Sequence, residues 1–202
     1  MNSDTHFPET PPVVPRWEWR TFGQDFGESE ALINQYPCLR VKESREIYIL
    51  SNNAGDNCKI RNSQIDIKVL ERIDAQRLEL WKPLLKAAFP INREIVRLLM
   101  RTLHVRKPML LRERYTHHQF IDNIIKPHPK LTAVNVHKLR RGFNVEGVEI
   151  ELADLKINRH SLRSVAIEHE NPELVAKMLE KLGLKRFTNV NYISALKKLL
   201  ES

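Results

Sequence analysis

Lys138-Leu139-Arg140-Arg141, Val148-Glu149-Ile150-Glu151-Leu152 and Val165-Ala166-Ile167-Glu168-His169-Glu170 follow one another between Val134 and Glu170, and each run alternates polar with apolar residues. Period two is the mark of a strand, in which residues i and i+2 share a face. Lys138 with Arg140, Glu149 with Glu151, and Glu168 with Glu170 then form like-charged pairs that repel. Such repetition makes physical sense if something of opposite charge, or water, fills the space between the pairs. Acidic pairs call for cations and the basic pair for an anion.

Working outward, the same alternation recurs. Arg16 to Phe22 puts Trp17 and Trp19 on one face, as core, and Arg16, Glu18 and Arg20 on the other. Ser44 to Leu50 reads as a strand with Ile47 and Ile49 opposite Glu46 and Tyr48, and 52–57 as a turn. Cys58 to Arg61 pairs Lys59 with Arg61, and Ile65 to Val69 sets Asp66 and Lys68 opposite three β-branched residues. Leu110 to Tyr115 is a further strand with Arg112 and Arg114 on one face. Helices are expected over 29–34, from Asp74 through Leu78, Trp81, Leu85 and Ala88 with a kink at Pro83, after the Asn92 cap, around 120–125, and over 191–200. Asn171-Pro172-Glu173 is a helix start, with an N-cap and a first-turn proline, and Gly183 its terminator.

The chain has 202 residues, 42% hydrophobic and 29% charged, the balance of one globular domain, placed at 16–202 behind a proline-rich, disordered tail at 1–15. A formal charge of +8 favours an anionic partner without choosing among phosphates, nucleic acid and a membrane surface. Cys38 and Cys58 have no disulfide or zinc spacing, and no signal peptide or membrane span is visible, so a cytoplasmic protein without membrane association is expected. His117-His118 lacks a third ligand and reads as a solvated pair. No phosphate-binding loop, serine-hydrolase elbow or dinucleotide fingerprint is present.

About eight short strands with one apolar and one charged face, interrupted by amphipathic helices, predict an α+β fold. Its centre is a closed or nearly closed antiparallel β-barrel with helices packed outside and charged residues facing a wet tunnel. A sandwich whose charged face meets solvent is the other reading of the same pattern.

In their order, Glu18-Trp19-Arg20, Lys59-Ile60-Arg61, Asp66-Ile67-Lys68, Lys138-Leu139-Arg140, Glu149-Ile150-Glu151, Ala166 to Glu170 and the closing Asn189-Val190-Asn191-Tyr192 resemble the CYTH superfamily of triphosphate tunnel metalloenzymes. The likeness runs from about Trp17 to Lys197. The superfamily includes inorganic and thiamine triphosphatases, class IV adenylate cyclases and RNA triphosphatases. Its opening motif ExExK stands here as Arg16-x-Glu18-x-Arg20, so one potential metal ligand is lost and the lysine is arginine.

The resemblance implies phosphate contacts from Arg20, Lys59, Arg61, Lys68, Arg112, Arg114, Lys138 and Arg140, arginine being suited to bidentate contact. It implies Mg²⁺ or Mn²⁺ on Glu18, Glu149, Glu151, Glu168 and Glu170, with Glu18 and Glu168 catalytic. Arg141 is expected outside the tunnel, and Asp66 beside Lys68 or Arg61. The implied function is metal-dependent hydrolysis of inorganic or organic triphosphate, the alternative a non-catalytic binder of polyphosphate or a phosphorylated ligand. Nucleic-acid binding comes third, and a cyclase lower still, since no adenine pocket is identifiable.

Overall fold

The computed structural model describes residues 14–201, so the tail expected at 1–15 lies almost wholly outside the described residues. Eight antiparallel strands close into a barrel. They are β1 (Arg16–Gly23), β2 (Arg40–Ser51), β3 (Ala54–Arg61), β4 (Gln64–Ile73), β5 (Glu79–Ala88), β8 (Leu131–Val145), β9 (Val148–Ile157) and β10 (His160–His169). Their order around the barrel is β1-β10-β9-β8-β2-β3-β4-β5. Two-residue strands β6 (Ile91–Asn92) and β7 (Arg114–Tyr115) form a separate pair outside it. The helices are α1 (Glu28–Ile33), α2 (Arg93–Thr102), α3 (His117–Phe120) continued by a π-helical turn (Ile121–Ile125), α4 (Pro172–Lys181) and α5 (Tyr192–Glu201). None among the described residues is long and apolar enough to cross a membrane.

The outward faces of the strands are greasy, as the alternation required. Trp17, Trp19, Ile150, Leu152, Val165 and Ile167 are buried with Phe26, Ile33 of α1 and Val175, Met178 and Leu179 of α4. Across the barrel Ile49, Ile60, Ile65 and Ile67 pack with Val96, Leu99 and Met100 of α2, Phe120, and Ile124 and Ile125 of the π turn. Local chemistry sets the helix ends. Asn92 Oδ1 accepts from the Ile95 N–H, Asn171 Oδ1 from the Glu173 N–H, and Gly183 at φ 64° ends α4 in a left-handed conformation that glycine adopts without strain.

A third apolar cluster lies inside the barrel. Tyr48, Leu50, Val134, Val136, Ala153, Leu155 and Ile157 are buried with Tyr192, Ile193 and Leu196 of α5. By alternation these strand residues share the face of Glu46, Lys138 and Glu151. On β2, β8 and β9 the inward face is therefore charged at one end and apolar at the other, and α5 plugs the apolar end. The expected wet tunnel is a well with a dry floor.

The seam between β1 and β5 is narrow, three paired residues from Arg16↔Trp81 to Glu18↔Glu79. Beyond it the segment before α5 takes over. The Arg20 N–H donates to Asn189 Oδ1 at 2.7 Å, and the Arg20 carbonyl accepts from the Val190 N–H at 2.7 Å.

Three expectations need correction. Residues 79–88 form a strand, not a helix, and Asp74 Oδ1 caps a turn by accepting from the N–H groups of Gln76 and Leu78. Pro83 sits opposite Lys68, where the register shifts between Ile67 and Lys68. Such an irregularity accepts a residue without an N–H, and it displaces the alternation by one, so that Leu78, Trp81, Leu85 and Ala88 mimic a helical period. The turn expected at 52–57 is confined to Asn52-Asn53, with Ala54 already in β3. The strand expected at 110–115 shrinks to Arg114–Tyr115, outside the barrel.

Candidate functional site

The charged half of the well is built from two hubs. The first is Arg20, whose side chain is 6% exposed. Its Nε donates to Glu18 Oε1 at 2.7 Å, its Nη1 lies 3.2 Å from Glu151 Oε1, and its Nη2 lies 3.9 Å from Glu168 Oε1. Nη1 also reaches Ser164 Oγ at 3.4 Å, and the guanidinium stands 4.6 Å from the centre of the Tyr192 ring. Three strands, β1, β9 and β10, thus turn three carboxylates onto one cation.

The second hub is the reverse, one carboxylate among four cations. Glu46 on β2 is fully buried and lies 3.1 Å from Lys138 Nζ, 3.4 Å from Arg61 Nη1, 3.7 Å from Lys59 Nζ and 3.9 Å from Arg140 Nη2. Ser44 Oγ donates to it at 3.2 Å. Lys138 Nζ donates to the Tyr48 hydroxyl at 2.7 Å and stands 3.6 Å from the Tyr192 ring centre. Arg140 links the hubs, its Nη1 being 3.7 Å from Glu151 Oε2. The pairs Lys138/Arg140 and Glu149/Glu151 are therefore compensated across strands by the protein's own opposite charges.

Burial sets the ionisation of the well. It works against charge on Glu18, Glu46 and Glu151, but neighbouring cations outweigh it and hold all three below the ordinary carboxylate value, Arg20 leading for Glu18 and Glu151 and Lys138 for Glu46. Glu168 goes the other way: burial, and then the charge of Glu18, push it up to about 7. Burial likewise brings Lys59 and Lys138 down to about 8. Two neighbouring carboxyls driven apart in this way are a common property of acid and base pairs.

Of the residues expected in the site, Glu18, Arg20, Lys59, Arg61, Lys138, Arg140, Glu151 and Glu168 meet in the two hubs. Lys68 acts electrostatically on both Glu18 and Glu168. Asp66 lies 3.9 Å from Arg61. Four expected residues are not brought in. Glu149 is at the rim, 2.9 Å from an exposed Arg40. Glu170 follows the end of β10 and is exposed, because the alternation that linked it to Glu168 stops at His169. Arg112 and Arg114 are exposed beside β6 and β7, outside the barrel, because that stretch never joins the sheet. Arg141 points outward as expected and pairs with Glu30 of α1 at 3.3 Å. His117 and His118 lie on α3 rather than in a loop.

Glu46, Tyr48, Tyr192 and Glu79 went unnoticed as site residues. Glu79 accepts from Trp81 Nε1 at 3.1 Å and from Asn191 Nδ2 at 2.8 Å, and burial raises its pKa. Paired charge is the sequence signal that marks the other residues of the well. A lone acid such as Glu46, spaced two residues from Ser44 and from Tyr48, carries the same alternation without a pair.

The resemblance implies a divalent metal here, and the donor chemistry, carboxylate oxygen, is of the right kind. The arrangement is not. Among the described residues no group of three or more His, Cys, Asp or Glu side chains is disposed to hold a metal ion. Glu18, Glu151 and Glu168 converge on the Arg20 guanidinium, and Glu149 and Glu170 lie elsewhere. The residues as folded do not fit a resident metal.

No known family profile matches the chain, and no curated protein matches it by sequence. Solved structures do. The Hippeastrum protein HpAC1, described as a candidate adenylyl cyclase with a dominant triphosphatase activity, is 13% identical, with a TM-score of 0.53 over 91% of this chain and 95% of its own. A candidate adenylate cyclase from Bacillus halodurans is 12% identical, with a TM-score of 0.49 over 91% of this chain and 98% of its own. A conserved protein from Pyrococcus furiosus is 14% identical, with a TM-score of 0.49 over 87% and 98%. At 13% identity the likeness to HpAC1 is one of fold, and it agrees with the barrel expected from the strand pattern.

Proposed function

We propose that this chain, whose fold is that of the CYTH superfamily, binds a linear run of phosphates in the well and hydrolyses an anhydride bond within it. The ligand is inorganic tripolyphosphate or the triphosphate end of an organic molecule. One observation carries the reading, the segregation of charge across the barrel. Lys59, Arg61, Lys138 and Arg140 line one side around Glu46, Glu18, Glu79, Glu151 and Glu168 line the other around Arg20, and Lys68 acts across on Glu18 and Glu168. A basic wall seats the phosphates and takes up the charge that develops on the leaving group. Arg140 Nε, buried and without a hydrogen-bond partner, is a donor suited to a phosphate oxygen.

On the acidic wall a water molecule attacks phosphorus, its proton passing to Glu168 as the bridging P–O bond breaks; Glu18, kept ionised by Arg20, holds the water in line. Any Mg²⁺ or Mn²⁺ the reaction needs would come with the phosphate substrate, since the carboxylates of the well are taken by Arg20. The activity described for HpAC1, on the shared fold, supports the same class of substrate. Phosphate release from tripolyphosphate and nucleoside triphosphates, with Mg²⁺ or Mn²⁺ supplied, tests it. Release that Glu168→Ala abolishes is expected; no release by the wild type, or equal release by the variant, rejects hydrolysis.

A second reading, binding without turnover, is favoured by Arg20, whose guanidinium fills the space where the carboxylates meet. It expects tripolyphosphate to bind in calorimetry without phosphate release, and the affinity to be lost in Lys68→Ala or Lys138→Ala. Affinity retained in both variants counts against it.

A further inference from the structure

The Arg20 guanidinium is held from every side. Three carboxylates take its nitrogens, at 2.7 Å from Glu18, 3.2 Å from Glu151 and 3.9 Å from Glu168. The Tyr192 ring stands behind it at 4.6 Å, and its own backbone is tied on both sides to Asn189 and Val190. A divalent ion on these carboxylates needs oxygen atoms at roughly 2.0–2.2 Å around a single point, the space the guanidinium fills. A metal ion there would have to displace a buried guanidinium already paired with all three carboxylates, leaving a permanent charge to be compensated elsewhere.

We propose that Arg20 is a built-in cation standing in place of a divalent ion, holding Glu18, Glu151 and Glu168 in position and closing their cluster to free metal. The inference deepens the reading of the well as a phosphate site: any metal needed for turnover arrives on the phosphate chain. It also accounts for why these carboxylates stay together without an added ion. The organic cation is fixed by the backbone, so the acidic wall is preorganised before a ligand enters.

The experiment is a titration of the full chain with Mn²⁺ in the absence of any phosphate, followed by electron paramagnetic resonance of the free ion. Wild type is expected to show no site tighter than about 1 mM, and Arg20→Ala to gain one site at least about ten-fold tighter. Adding Glu168→Gln to Arg20→Ala should remove the gained site. Arg20→Gln, which keeps much of the bulk and removes the charge, carries the same expectation if the alanine variant does not fold. A tight Mn²⁺ site in the wild type that Glu168→Gln abolishes overturns the inference, as does a folded Arg20 variant that gains no affinity. Because no phosphate is present, a protein that neither binds nor cleaves tripolyphosphate would defeat the proposed function and leave this result untouched.

Discussion

Replacing Glu46 by alanine removes the one counter-charge shared by Lys59, Arg61, Lys138 and Arg140. Four cations left facing one another in a buried space should cost about 3–5 kcal/mol of stability, read from urea unfolding. The same change should strengthen anion binding, so that tripolyphosphate raises the melting temperature of Glu46→Ala by more degrees than that of the wild type. An equal rise in the two proteins would mean that these cations do not receive the anion. Glu168 makes a second prediction at this scale. Its pKa in the folded protein is about 7 against an ordinary value of 4.5. The folded state holds that proton more tightly than the unfolded chain does. The stability it lends is full below about pH 4.5 and is lost as pH rises through about 7. Glu168→Gln, permanently neutral, should therefore be more stable than the wild type at pH 8, by on the order of 1–3 kcal/mol, with the gap closing toward pH 4. Thermal unfolding across that range checks it, and a gap constant with pH would contradict it.

At the scale of elements, α5 decides that the barrel is a well. Asn191 both caps the helix, accepting from the Ser194 N–H at 2.9 Å, and donates to Glu79, so one residue couples the plug to the acidic wall. Leu196 is fully buried in the inner cluster. Leu196→Ala should cost about 2–5 kcal/mol by leaving a cavity in the floor, without touching a charged residue of the well. Denaturant unfolding reads the loss; a change below about 1 kcal/mol would mean that the floor is loosely packed. How legible each element was depended on how local its cause is. The helices capped by Asn92 and Asn171 are readable, because each cap and the first turn it closes lie within three residues of one another. Strand β5 is not, because its phase changes at Pro83 opposite Lys68, and that irregularity is set by the pairing with β4 rather than by the periodicity of residues 79–88 themselves. The segment 110–115 has strand composition but finds only a two-residue partner, so propensity was overruled by what lay beside it.

At the scale of the whole molecule, the segregation of charge makes binding and protonation one process. Lys59 and Lys138 are held at about 8 by burial, and a polyanion beside them favours their charged forms. Tripolyphosphate binding at pH 8 should therefore be accompanied by proton uptake at the protein, measured as a dependence of calorimetric enthalpy on the ionisation enthalpy of the buffer. Lys59→Arg should take up fewer protons, and an uptake unchanged by that substitution would place the protons elsewhere. Alternation by itself makes strands with one greasy and one charged face, and the charged pairs at 138–140 and 149–151 call for opposite charge or water beside them, without deciding between an inward face and one in solvent. Both follow from backbone geometry, since neighbouring side chains on a strand cannot avoid opposite faces. Which charges meet is fixed by long-range strand pairing. The pairing of β1 with β10 and of β10 with β9 puts Arg20 among three carboxylates, that of β2 with β3 and β8 makes Glu46 the shared anion, the early end of β10 leaves Glu170 outside, and the failure of 110–115 to join the barrel leaves Arg112 and Arg114 there. Those contacts join strands distant in sequence, and their energies depend on burial that no local pattern specifies.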